Sequence, residues 1–173
     1  MELWDVYDRE GNPVGRVHNR ADPMAPGDYH LAVTIVIVNS AGEVLCTLRS
    51  MEKSVYPGVW ENPGGGVLSG ETSLQGALRE LREETGVAAA PEDLCFLCRR
   101  TVTEPGGGGF LMDVYGLKRN LAIEELALQP GEVDAAKWFP LDEWERKART
   151  REILAGAYSD DFFAAVRALA KAP

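Results

Sequence analysis

Residues 65–87 read GGVLSGETSLQGALRELREETGV, and this stretch constrains the chain more than any other. Thr72 followed three residues later by Gln75 is a capping-box signature, so a helix starts near Ser73. Leu74, Ala77, Leu78 and Leu81 follow the i, i+3, i+4, i+7 spacing of a buried stripe. Gly86 supplies a residue that tolerates the left-handed conformation and ends the helix near Thr85. Glu80, Glu83 and Glu84 then occupy one separate face, because residues three and four apart are neighbours on a helix.

That face breaks local rules. Like charges at those spacings each cost a few tenths of a kcal/mol. Glu83 and Glu84 also lie in the last turn, where the helix dipole disfavours anions. A solvated acidic face, partly balanced by Arg79 and Arg82, is the bland explanation. Glu71 weighs against it, since it sits just before the helix after a glycine-rich loop able to fold it back over the other carboxylates. Hard oxygen donors so grouped suit Mg²⁺ or Mn²⁺, which bind through a few carboxylates plus substrate phosphates.

The remainder of the 173 residues suits one domain with a real core. With 18 Lys and Arg against 27 Asp and Glu, the net charge of -9 disfavours general attraction to nucleic acid or anionic membranes. The longest apolar run, Leu31 to Val38, is interrupted by Thr34 and is too short to span a bilayer. The first residues carry no basic, apolar signal pattern, and the three cysteines form no disulfide framework, so a cytoplasmic protein is expected. Cys95 and Cys98 form a C-x-x-C in a β-like run, where residues three apart face opposite ways, and read as buried packing cysteines.

Leu3–Tyr7 and Val14–Val17 flank a turn and predict an N-terminal hairpin, followed by a polar connector over Asn19–Asp28. Tyr29–Val38 and Glu43–Arg49, joined at Asn39-Ser40-Ala41-Gly42, predict a central hairpin. Further strands are expected at Leu94–Thr103, Phe110–Leu117 and Ala135–Phe139, and helices at Leu141–Ala148 and Ser159–Lys171. The glycines at 106–109 read as a hairpin tip, because no helix follows them to build a phosphate cradle.

The spacing from Gly65 through Glu71 and Arg79-Glu80-Leu81 to Glu83-Glu84 and Gly86-Val87 matches the Nudix box at every defined position. The chain thus resembles the Nudix hydrolase superfamily. The resemblance implies an α/β fold, an α/β/α sandwich with a mixed sheet over residues 28–173, preceded by the hairpin extension of residues 1–27. It also implies Mg²⁺- or Mn²⁺-dependent hydrolysis of a diphosphate linkage in a small molecule, a nucleoside diphosphate derivative by default. Carried over by position, Glu80, Glu83 and Glu84 would hold metal, with Glu71 a weaker or water-mediated participant. Arg79 would orient the glutamates. Glu80, Glu84 and, later in the chain, Glu132 are the candidates for general base.

Selectivity lies outside the box. Arg49 and Lys53 are candidates for contacting phosphate, and Trp60, Tyr56, Phe110 and Tyr115 for stacking on a base. The front half, including Gly27 to Ala32 and Pro57-Gly58-Val59-Trp60, is similar to the isopentenyl diphosphate isomerase branch of the superfamily, and His30 is similar to one of that branch's metal histidines. After Trp60, however, Glu61-Asn62-Pro63-Gly64 offers neither the cysteine nor the histidine that branch uses, which disfavours isomerisation and leaves His30 structural. A non-catalytic nucleotide-binding or sensing module is the other alternative. The hairpin is compatible with a homodimer or with a cover over the site.

Overall fold

The computed structural model describes residues 2–172. Ten strands form one mixed sheet with helices on both faces. They are β1 (Leu3–Tyr7), β2 (Pro13–Asn19), β3 (Tyr29–Val38), β4 (Glu43–Arg49), β5 (Trp60–Glu61), β6 (Gly64–Gly66), β7 (Leu94–Thr103), β8 (Gly109–Lys118), β9 (Val133–Pro140) and β10 (Ile153–Leu154). The helices are α1 (Ser73–Thr85), α2 (Leu141–Thr150) and α3 (Asp160–Lys171).

β3 is the axis of the fold. It pairs in parallel with β8 along its whole length, from Tyr29↔Gly109 to Val38↔Lys118. Its side chains alternate between two cores, as a strand buried on both faces requires. Val33, Ile35 and Ile37 pack with Leu45, Ala77 and Leu81 beneath α1. Val36 and Val38 pack with Trp144, Phe162, Phe163 and Val166 beneath α2 and α3. The α/β/α sandwich expected from the sequence is the one observed.

The expected central hairpin is more limited than its sequence suggests. β3 and β4 pair only at Ile37↔Leu45 and Val38↔Val44 and then part. Residues 62–66 enter the gap: β6 pairs with Ala32, Val33 and Thr34, and Ile35 N donates to Pro63 O at 2.8 Å. Asn62 closes the fork, donating from Nδ2 to Leu45 O and accepting from the buried Trp144 Nε1 at 3.3 Å. Only glycine suits position 64, because a Cβ there would lie 2.1 Å from Val33 O. The glycine-rich loop is thereby bound to the centre of the sheet.

The N-terminal hairpin is joined to the same sheet through Tyr7↔Tyr29. It also grips the segment ahead of α1. Ser69 N donates to Leu3 O, while Ser69 Oγ and Gly70 N donate to the two Asp5 carboxylate oxygens at 2.7 and 2.9 Å. Trp4 stacks on His30 with ring centres 3.8 Å apart. The glycine tip at 106–109 is tied to the connector, with Gly27 N donating to Gly107 O and Gly109 N to Asp28 O.

The cysteine reading needs correction. A bulge between Phe96 and Cys98 sets Cys95 opposite Gly116 and Cys98 opposite Val114, two positions on one face of β8. Both cysteines therefore share a face of β7, and Cys95 is exposed rather than buried. No helix among the described residues is long and apolar enough to cross a membrane.

Candidate active site

α1 starts and stops where its sequence dictates. The Thr72 side chain accepts from Gln75 N, the Gln75 side chain accepts from Thr72 N, and Gly86 adopts φ 74°. Ala77 and Leu81 are fully buried, with Leu74 and Leu78 packed beside them. Burial of this stripe fixes the helix rotation and turns Glu80 and Glu84 toward β6.

Arg79 organises the carboxylates. Its Nε and Nη2 donate to both oxygens of Glu71 at 2.9 and 3.0 Å. Nη1 donates to Glu80 at 2.7 Å and Glu83 at 3.1 Å, and Nη2 also reaches Gly66 O at 2.8 Å. All five guanidinium N–H donors are used, which no lysine can imitate. Glu71 accepts further from Leu68 N at 3.0 Å. Burial works against its charge, but the bonds from Arg79 hold its carboxyl below the usual range. Arg82, expected to share the balancing, has no carboxylate partner among the described residues and lines a cavity on the flank of α1 with Leu78, Glu83, Ala88 and Ala89.

Glu84 is the exception to this pairing. It is 6% exposed and receives one protein hydrogen bond, from Gly64 N to Oε2 at 3.0 Å. Burial, then the charge of Glu61, pushes its carboxyl up to about 8. Glu80 is raised too, by burial, although Arg79 offsets part of the effect. Gly65 lies directly against Glu80, where a Cβ would stand 2.6 Å from the carboxylate.

A second tier of charge surrounds these residues. Arg49 Nη1 donates to Glu61 at 2.6 Å, and its Nε and Nη2 hold Val55 O at 3.2 and 3.0 Å. Lys53 is ion-paired with Glu132. Glu61 was not singled out from sequence. Its signal was the alternation of β5: Trp60 packs into the core edge-on to Phe139, so Glu61 faces the other way, across from Thr47. Glu61 and Glu132 both act electrostatically on Glu84. The structure thus gathers Glu71, Arg79, Glu80, Glu83 and Glu84, borders them with Glu61, Arg49, Lys53 and Glu132, and directs Trp60 elsewhere. Tyr115 is a core residue bonded to Ser73 Oγ, Phe110 packs near His30, and Tyr56 is exposed on the loop after β4.

The donor set fits a hard divalent cation, since carboxylate oxygens crowd one another and Glu84 keeps an oxygen free of protein partners. With side chains as they stand, no three carboxylate, histidine or cysteine groups converge at binding distance among the described residues. Glu80 and Glu83 are instead both bonded to Arg79.

A family model described as the NUDIX domain matches residues 28–158, a span that contains the whole helix and its loop. The chain belongs to the Nudix hydrolase family. An uncharacterised Nudix hydrolase of Listeria monocytogenes is 30% identical over 164 residues, covering 94% of each chain. An Escherichia coli isopentenyl-diphosphate Delta-isomerase is 32% identical over 104 residues, covering 59% of this chain and 57% of that protein. A crystal structure from Deinococcus radiodurans superposes with a TM-score of 0.72 at 24% identity, covering 97% and 99% of the two chains, and shows the shared fold. The Nudix match begins at residue 28, so the hairpin that grips the box loop lies outside it. Among the described residues Cys46 is buried in the core beneath α2 and α3, and Cys95 and Cys98 lie on β7.

Proposed function

We propose that this Nudix hydrolase cleaves a diphosphate linkage with Mg²⁺ or Mn²⁺, and that a nucleoside diphosphate derivative is its substrate class. The observation that carries the reading is Glu84. A buried carboxylate with one backbone donor, at the end of a helix that disfavours anions, is an expensive arrangement unless a cation completes it. Glu80, Glu83 and Glu84 would hold the cation and Glu71 would support it through water. A bound divalent ion there would neutralise phosphate charge and acidify the attacking water.

This chain's own groups do the rest. Arg79 keeps the glutamates oriented as they exchange partners. The water forms a bond to phosphorus as the bridging P–O bond breaks, and its proton passes to a carboxylate. Glu132 is our assignment for that base, with Glu80 and Glu84 as the alternatives within the box. Lys53 is assigned to substrate phosphate. Arg49 has three donors committed to Glu61 and Val55, which supports a strut role, and Trp60 contributes packing. The isomerase relatives share part of the scaffold, but Glu61-Asn62-Pro63-Gly64 offers neither the cysteine nor the histidine of the isomerase branch, which favours hydrolysis. We place the activity in the cytoplasm, on a small-molecule substrate.

The test is product-resolved turnover of nucleoside di- and triphosphates, dinucleotides, nucleotide sugars and isopentenyl diphosphate, with Mg²⁺ or Mn²⁺ and with chelator. Metal-dependent cleavage at phosphorus, lost in Glu83→Gln, is expected. A folded protein that rearranges isopentenyl diphosphate without releasing phosphate would refute the reading.

A further inference from the structure

The cation assigned to substrate phosphate already has a partner, and that partner is the carboxylate assigned as base. Lys53 lies in the loop after β4 and its side chain is 17% exposed, while that of Glu132 is 39% exposed. Backbone bonds locate both residues without help from the ion pair. Ser50 N donates to Glu132 O at 2.8 Å, Lys53 N to Ser50 O at 3.1 Å, and Met51 N to Asp134 Oδ2 at 3.0 Å. On the other side, Ala127 N donates to Thr85 O and Gln129 N to Glu84 O, tying the segment that carries Glu132 to the end of α1. Arg49 separately staples the loop through Val55 O.

The two segments are already joined by the bond from Ser50 N to Glu132 O, so the ion pair, with Lys53 mostly buried and Glu132 partly exposed, is not needed to hold them together. It is therefore free to exchange. Both members also face the buried carboxylates: Lys53 and Glu132 act in opposite senses on Glu61, and Glu132 acts on Glu84. Among the described residues Lys53 has one side-chain partner, Glu132, whereas Arg49 is committed to both Glu61 and Val55 O, so a phosphate oxygen can take the place of Glu132 on Lys53.

We propose that Lys53 is a lock on Glu132 which substrate opens: a phosphate oxygen takes Lys53 from Glu132, and the freed carboxylate turns toward the glutamates of α1. Lys53 is thus a positioning residue, coupling occupancy by a diphosphate to release of Glu132 and keeping that carboxylate quenched in the empty site. This rests on the diphosphate reading of the site.

The lock makes a prediction that a structural strap does not. Glu132 competes with ligand for Lys53, so removing Glu132 must tighten binding. The probe is methylenediphosphonate, which is not hydrolysed, titrated calorimetrically with Mg²⁺ present. Glu132→Gln should bind it about threefold or more tighter than wild type, and Lys53→Met about tenfold weaker, with Lys53→Arg restoring most of the loss. In the Lys53→Met background, Glu132→Gln should change binding by less than about twofold, which separates exchange from a general charge effect. Unchanged or weaker binding by Glu132→Gln, or equal tightening in both backgrounds, would overturn the lock. Because the probe is not turned over, failure of hydrolysis is read separately, from the wild-type turnover panel.

Discussion

The backbone amide of Gly64 donates to the carboxylate of Glu84 at 3.0 Å, fastening β6 to the last turn of α1. One end of that bond is fixed by the sheet, because Gly64 is wedged against Val33. The other end is fixed by burial of Ala77 and Leu81, which precede Glu84 by seven and three residues on nearly the same side of the helix. The carboxylate is therefore held still, out of water and short of partners.

That arrangement predicts an unusual pH dependence in the metal-free protein. Glu84 titrates near 8 when folded and near its ordinary 4.5 when unfolded. Between those values the native state holds the extra proton, so stability falls as pH rises, by roughly 1.4 kcal/mol per pH unit at most. Thermal melts in chelator should show Tm falling from about pH 6.5 to 8, above the range in which His30 acts in the opposite sense. Glu84→Gln should remove that component and raise the metal-free Tm at pH 8, while saturating Mn²⁺ restores the wild type. A Glu84→Gln protein less stable than wild type at pH 8 without metal would contradict the account.

His30 gives a component of the opposite sign. Burial, against Trp4, lowers its pKa to about 4 from an ordinary 6.5. The unfolded chain binds the extra proton in that window, so this contribution is complete above about pH 6.5 and is lost as pH falls toward 4, by roughly 1.4 kcal/mol per pH unit. His30→Phe keeps a ring against Trp4 and should be more stable than wild type at pH 4.5, relative to their difference at pH 7. Parallel stability curves for the two proteins would rule out a buried neutral His30.

Gly65→Ala separates site from fold. The added Cβ meets the Glu80 carboxylate at 2.6 Å, the movable end of a side chain rather than backbone. Tm should shift by no more than about 2–4 °C. Turnover should fall about tenfold or more as Glu80 is displaced, with weaker Mn²⁺ binding. Full activity in this variant would remove Glu80 from the metal set.

Arg79→Lys keeps the charge and loses the geometry. An ammonium cannot span Glu71, Glu80, Glu83 and Gly66 O together. The expected loss in kcat/KM is roughly a hundredfold, carried mainly by kcat, with circular dichroism unchanged. A loss confined to KM would instead make Arg79 a substrate-binding residue.

How much of this was legible depended on the range of the interactions. The α1 limits, Ser73 and Thr85, follow from contacts spanning three or four residues, Thr72 with Gln75 and Gly86 with Arg82, and local sequence records them directly. The sandwich was expected from the resemblance of residues 65–87 to the Nudix box, and β3 itself from its β-branched apolar run, broken at Thr34. The parting of β3 and β4 was not, because it depends on residues 62–66 arriving from outside the hairpin. The alternation of β5 pointed Glu61 away from Trp60, but its place beside the site also depends on its register with Thr47 and its bond to Arg49, which the residues around it do not record. The grip of Asp5 on Ser69 and Gly70 spans more than sixty residues, and only the folded chain brings it together. The bulge that turns Cys95 and Cys98 to one face leaves no mark in the alternation around it.

The most direct test of the central claim is isotopic. Wild type and Glu84→Gln would be run on the diphosphate panel in H₂¹⁸O with Mn²⁺, and the products weighed by mass spectrometry. The account predicts one ¹⁸O in a phosphoryl product of the wild type and no labelled product from the variant. Equal labelling by the two proteins, or a rearranged substrate carrying no label, would contradict it.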